Sequence, residues 1–239
     1  MTQSQKWQAR MLAQAQDRTY FEEAKDNAFE YLDCILDRPV YPDDKAISGL
    51  STFDEDMPTN GADPSAMLRM LHEFGSPATV ATTGGRYFGL VVGSSFRPVM
   101  AAKWLSDVWD QLAPLYVTSP ITAKLEAVCE KWMNELLGLR EESGMGLVGG
   151  TCMAIVCALA AARYEILKRA GWDVNAKGLF GAPPVRVVVG AEAHSSVFKA
   201  LALLGLGKER VELVPVDDQG RMVVKELPAL DSNTLVIVQ

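Results

Sequence analysis

Three short runs of mostly β-branched residues, at 185–189, 211–216 and 234–238, set the tightest limit on what this chain can fold into. Their apolar residues are near-continuous, not alternating, which implies burial on both faces. That texture belongs to a largely parallel sheet flanked by helices, and helix-like segments do separate the runs, at 195–204 and, more briefly, near 223–230. A longer helix at about 151–170, closed by Gly171, precedes the first strand. The class is therefore α/β. The sequence stops on the buried-type run Leu235-Val236-Ile237-Val238-Gln239, which lacks a crossover and a next neighbour, so a truncated chain is expected.

Upstream the texture is helical. Phe21, Ala24, Ala28, Tyr31 and Ile35 recur every three to four residues within 4–37, giving an amphipathic arm that must pack on something. Asp37-Arg38-Pro39 stops it, and residues 38–63, with scattered Pro, Gly and acids, read as a long connecting segment. Asp63-Pro64 resembles an N-cap with proline at the first helical position, opening a helix to about Phe74. Further helices are expected near 97–112 and 119–137, with loop or extended chain around 84–93. The organisation expected is an arm and connector over 1–63, then a larger α/β region over 64–239.

Composition narrows the partners. A net charge of -7 and the lack of any basic run argue against nucleic acid, whose backbone is bound by clustered Lys and Arg. No run approaches 18 apolar residues and the first ten residues have no apolar signal core, so a soluble protein with no membrane partner is expected. Cys34, Cys129, Cys152 and Cys157 lack CxxC spacing and fall in apolar helical patterns, which suits small buried hydrophobes and a reducing cytoplasm. With His72 and His194 the sole histidines, no metal site is expected.

Two segments carry chemistry. Gly146-Leu147-Val148-Gly149-Gly150-Thr151-Cys152 leads into the 151–170 helix, where adjacent glycines admit a ligand close to the backbone. The helix start adds unpaired N–H groups and the positive end of its dipole, a setting for a phosphate. An ordinary strand-to-helix turn capped by Thr151 reads the same residues equally well. Neither a P-loop nor a GxGxxG fingerprint is present. The second segment, Gly190-Ala191-Glu192-Ala193-His194-Ser195-Ser196, lies at the carboxyl end of a strand, where ligands of open α/β sheets gather. His194 could stack on a flat ring or move protons there, or could be a hydrogen-bonded structural residue, with the serines only capping the next helix.

In this order the motifs resemble those of the group II pyridoxal-phosphate (PLP) dependent decarboxylases. Arg86-Tyr87-Phe88-Gly89 is similar to the family's aromatic segment and Ser119-Pro120-Ile121-Thr122-Ala123-Lys124-Leu125-Glu126 to its helix start. Gly149-Gly150-Thr151 resembles its phosphate turn, Ala193-His194-Ser195-Ser196 its histidine motif, and Val216-Asp217-Asp218-Gln219-Gly220-Arg221-Met222 its acidic turn. The resemblance covers about 64–239 and implies a type I aminotransferase-like fold, PLP as cofactor, an amino acid as substrate and a homodimer whose arm packs on the second subunit.

Position by position, the resemblance implies that Gly150, Thr151 and Cys152 hold the PLP phosphate and that His194 stacks on the pyridine ring as the catalytic residue. Leu90, Val91, Val92 and Gly93 would line the substrate side, with residues near Leu112 to Tyr116 approaching from the partner subunit. That aliphatic lining argues against an aromatic substrate. The family's aspartate at the pyridine nitrogen and its cofactor-binding lysine would both fall after Gln239, so the chain alone is expected to be inactive. Two other readings are an aldolase-type PLP lyase and a non-catalytic, dimerising fragment.

Overall fold

The computed structural model describes residues 1–57, 59, 61–92 and 95–238, which form two compact units, Met1–Gln111 and Leu112–Gln239.

The first unit is helical. Helix α1 (Gln3–Gln16) opens on a capping box in which Thr2 and Gln5 satisfy each other's backbone N–H groups. Helix α2 (Thr19–Cys34) follows, so the single arm expected over 4–37 is two helices. The interruption has a local cause: the Asp17 carboxylate accepts both the N–H and the hydroxyl of Thr19, starting a new helix where periodicity alone would run on. The α2 stripe also divides. Ile35 is buried in its own unit and the Tyr31 hydroxyl lies 2.9 Å from Thr79 Oγ1, whereas Phe21 is 70% exposed.

The expected connector over 38–63 contains a short helix α3 (Asp44–Gly49), capped by the Asp43 carboxylate on the Ala46 N–H, and a 3-10 turn at Leu50–Phe53. Helix α4 (Pro64–Met70) has the expected Asp63 cap but ends early, widening into a π-type turn at Leu71–Gly75. Arg38 ties the segments together, donating to the Ser76 carbonyl at 2.6 Å while its guanidinium lies over the Tyr31 ring. After the loop around residues 84–92 comes α5 (Arg97–Trp109), whose Trp104 stacks on Phe29 of α2.

The second unit carries the sheet. Helices α6 (Pro120–Leu136), α7 (Thr151–Arg169) and the one-turn α8 (Val174–Lys177) precede β1 (Arg186–Gly190). Then come α9 (Ser195–Leu203), β2 (Val211–Val214) and β3 (Thr234–Ile237), with a 3-10 turn, Val224–Glu226, where a longer helix was expected. All strands are parallel in the order β2-β1-β3, with Val188 opposite both Glu212 and Val236. This is the mainly parallel sheet that the β-branched runs predict. Val187, Val188 and Val189 of the central strand are buried, so successive side chains on both faces are covered.

Helices α7 and α9 cover one face: Leu159, Val197, Ala200 and Leu201 join Val187 and Val189 in one core, with Ile155, Val156 and Ala160 packed against it. Both helices are closed by a glycine at positive φ, Gly171 and Gly205, and the N–H of the residue after each glycine reaches back to the carbonyl of Leu167 or Leu201. Gly205 has a second constraint, since an added Cβ would meet Leu179 Cδ1 at 2.7 Å.

The opposite edge of the sheet is stapled by charge. Arg186 of β1 makes two bonds to Glu212 of β2, at 2.9 and 2.8 Å, and donates to the Ala229 carbonyl, with Asp231 at 3.7 Å. The Arg186 bond holds the Glu212 carboxyl below its usual range, and Thr234 and the Asn233 N–H do the same for Asp231. Groups whose folded pKa is depressed stabilise the fold above their unfolded values, about 4, and lose that contribution as pH falls through the folded ones. Urea unfolding midpoints of the parent and Arg186→Met should therefore differ at neutral pH and converge as the pH falls through the lowered carboxyl values. A gap that persists at low pH would mean that Arg186 acts through packing alone.

Candidate functional site

The site is built at the carboxyl edge of the sheet. Helix α9 follows the end of β1 in the crossover to parallel β2, and it packs with α7 over the same core. Arg163 of α7 donates to the Leu204 carbonyl at 2.6 Å, joining the far end of α9 to a point about 18 Å along α7. Gly150, Thr151 and Cys152 stand at the start of α7, and His194 at the start of α9.

The start of α7 is an open cradle. Its N-cap is Gly150, not Thr151, and no side chain caps it. The Gly150 carbonyl takes the N–H groups of Met153 and Ala154, while those of Thr151 and Cys152 find no acceptor among the described residues. A Cβ added at Gly149 or Gly150 would meet no atom within 4 Å. Gly150 has φ 168, an extended backbone open to any residue. Neither packing nor backbone geometry asks for glycine here, whereas a ligand lying against the backbone would. The residues fit a phosphate: two free donors, a hydroxyl on exposed Thr151, and the positive end of a 19-residue helix. The reading of Thr151 as an ordinary cap is corrected.

His194 is itself the N-cap of α9, a role sequence reasoning gave to the serines. Its Nδ1 accepts the Ser196 N–H at 3.2 Å and lies 2.7 Å from Ser196 Oγ. Beside it, the turn after β2 folds back through a Val216–Met222 bridge, and Gly220 comes close to the Glu192 carboxylate. Asp217 closes that turn by accepting from Arg221, both side chain and N–H, and from the Gln219 N–H; these bonds hold its carboxyl below the usual range.

Leu90, Val91 and Val92 belong to the first unit, where all three are exposed, and Gly93 lies outside the described residues. Leu90 and Val91 sit at φ 55 and 51, left-handed backbone that a β-branched valine adopts at a cost. Cys34, Cys152 and Cys157 are exposed and Cys129 half-buried, so the cysteines are not the buried hydrophobes expected; all four are free thiols. Among the described residues no group of three or more His, Cys, Asp or Glu is placed to hold a metal, and no helix is long and apolar enough to cross a membrane.

A covered parallel sheet with an uncapped, glycine-led helix start, and a histidine after its central strand, defines an α/β protein whose residues fit a phosphorylated ligand. Comparison makes this specific: the pyridoxal-dependent decarboxylase conserved domain matches residues 73–233, and the chain belongs to that family. Acidic amino acid decarboxylase GADL1 of Xenopus tropicalis is 32% identical over 149 residues, covering 62% of this chain and 28% of that protein. Its human counterpart is 28% identical over 175 residues, covering 73% and 32%. Among solved structures, mouse CSAD in apo form superposes with a TM-score of 0.76 at 20% identity, over 87% of this chain and 44% of that one. Oryza sativa TDC with PLP and tryptamine gives 0.72 at 21%, over 84% and 42%. The chain spans about a third or less of these curated relatives and under half of these structures.

Proposed function

We propose that this chain is the cofactor-holding first part of a PLP-dependent amino-acid decarboxylase, with 1–63 as arm and connector and 64–239 as the incomplete beginning of the PLP-binding domain. The observation that carries the reading is the open, uncapped start of α7, in the same unit as His194 at the carboxyl end of β1. The N–H groups of Thr151 and Cys152 and the Thr151 hydroxyl bind the phosphate, and His194 lies against the pyridine ring. When bound, PLP supplies an electron sink for the pair left behind as the substrate carboxylate departs as CO2. The protein's part is to hold ring and substrate so that the bond to be broken stands perpendicular to the ring. Leu90, Val91, Val92 and Gly93 contribute the substrate side.

The substrate class favoured is an acidic amino acid, supported by the GADL1 relatives and by the aliphatic character of residues 90–92. A homodimer is supported by apolar side chains left exposed on the first two helices, among them Trp7, Met11, Leu12 and Phe21. Four free thiols suit a reducing cytoplasm. The test is CO2 release by the complete protein with PLP, from acidic and from aromatic amino acids. Turnover of an acidic substrate, at least about tenfold preferred in kcat/KM, is expected. Preference for an aromatic one would overturn the substrate class, and no CO2 from any amino acid would overturn the decarboxylase reading.

A further inference from the structure

We infer that Ser196 is a positioning residue that presents His194 to its ligand as a hydrogen-bond donor at Nε2. The inference rests on the reading above that His194 faces the cofactor ring. Ser196 is only 5% exposed, on the second residue of α9, and its hydroxyl has His194 Nδ1 as its partner at 2.7 Å. The same nitrogen takes the Ser196 N–H at 3.2 Å. A backbone N–H can only donate, so Nδ1 must be the unprotonated nitrogen of the neutral ring and Nε2 must carry the proton. The hydroxyl is then a second donor to Nδ1. Two bonds from one residue hold the ring edge-on to the helix start and fix its rotation. Nε2 has no partner among the described residues, so its N–H is left for a ligand oxygen.

This goes beyond a stacking ring. A histidine held in this way cannot take a proton at Nε2 from its neutral state, but can donate there to a carboxylate or ring oxygen. Ser195, one position earlier and exposed, makes no such bond among the described residues, so the two serines after His194 are not equivalent.

The test uses the folded 239-residue chain with ring nitrogens labelled in its two histidines, the His194 signals being assigned with His72→Gln. Long-range 1H–15N spectra at alkaline pH should show the Nε2–H tautomer with a hydrogen-bonded Nδ1 for His194. In Ser196→Ala the Nδ1 signal should move toward that of a solvated imidazole, whereas Ser196→Thr, which keeps the hydroxyl, should stay near the parent. PLP affinity should fall about three- to tenfold in Ser196→Ala, the range of one neutral hydrogen bond, and inorganic phosphate affinity should not change. In a His194→Ala background, Ser196→Ala should have no further effect on PLP. An Nδ1–H tautomer in the parent, or an Nδ1 signal unmoved by Ser196→Ala, would overturn the positioning role. A PLP loss on Ser196→Ala that persists without His194 would overturn its action through the ring. Unchanged PLP affinity in His194→Ala, with the spectra as expected, would instead defeat the reading of His194 as a cofactor contact.

Discussion

Leu201→Ala is expected to lower the unfolding free energy of the chain by about 2–5 kcal/mol, among the largest effects any single truncation here should produce. Leu201 is fully buried in the core formed by α7, α9 and the central strand, and its carbonyl also closes α9 through the Leu206 N–H. Removing three carbons there sacrifices apolar burial and leaves a cavity that two tied helices cannot collapse to fill. The comparison that gives the prediction its force is Leu203→Ala, two residues along the same helix but 78% exposed, where a change within about 0.5 kcal/mol is expected. Urea unfolding followed by circular dichroism measures both. Equal, small effects would mean that α9 is not seated on the sheet, and the placement of His194 at its start would fall with it.

Gly150→Val should separate folding from binding. Gly150 has extended backbone and open space where a Cβ would stand, so valine there should leave the melting temperature of the ligand-free chain within about 2 °C of the parent. Its branched side chain would nevertheless occupy the volume a phosphate must enter to reach the Thr151 and Cys152 N–H groups. Phosphate at about ten times its Kd should stabilise the parent by about 1.4 kcal/mol and raise its melting temperature by about 3–5 °C. In Gly150→Val that rise should vanish. Thr151→Ala, losing one hydroxyl bond of about 0.5–1.5 kcal/mol, should keep roughly a quarter to two thirds of it. A variant that melts several degrees lower without ligand would show that the glycine serves the fold.

The parallel sheet was legible because near-continuous β-branched runs leave few alternatives to a covered parallel arrangement, and residues 186–190, 211–214 and 234–237 form it; burial on both faces, expected of every strand, holds for β1 but not for β2, where Leu213 is exposed, or for half-buried β3. Helix starts at Pro64 and Pro120 were legible because proline at the first helical position marks them locally. What periodicity missed was decided by single side chains. The carboxylate of Asp17 divides the arm, and that of Asp43 starts a six-residue helix in a stretch whose prolines and glycine suggest only loop. At the site, the glycine pair and the histidine could be picked out as residue types, but which residue caps each helix depends on geometry. Gly150 left α7 uncapped and His194 displaced the serines on α9. The left-handed backbone at Leu90 and Val91 had no signal at all, since neither residue favours it.

The central claim is that the start of α7 receives the phosphate of PLP. Competition titration of the folded chain tests it most directly, with PLP binding followed by calorimetry at rising inorganic phosphate. One PLP per chain, an apparent Kd that rises linearly with phosphate, and no saturable binding in Gly150→Val are expected. PLP binding that is indifferent to phosphate, or undiminished in Gly150→Val, would contradict it.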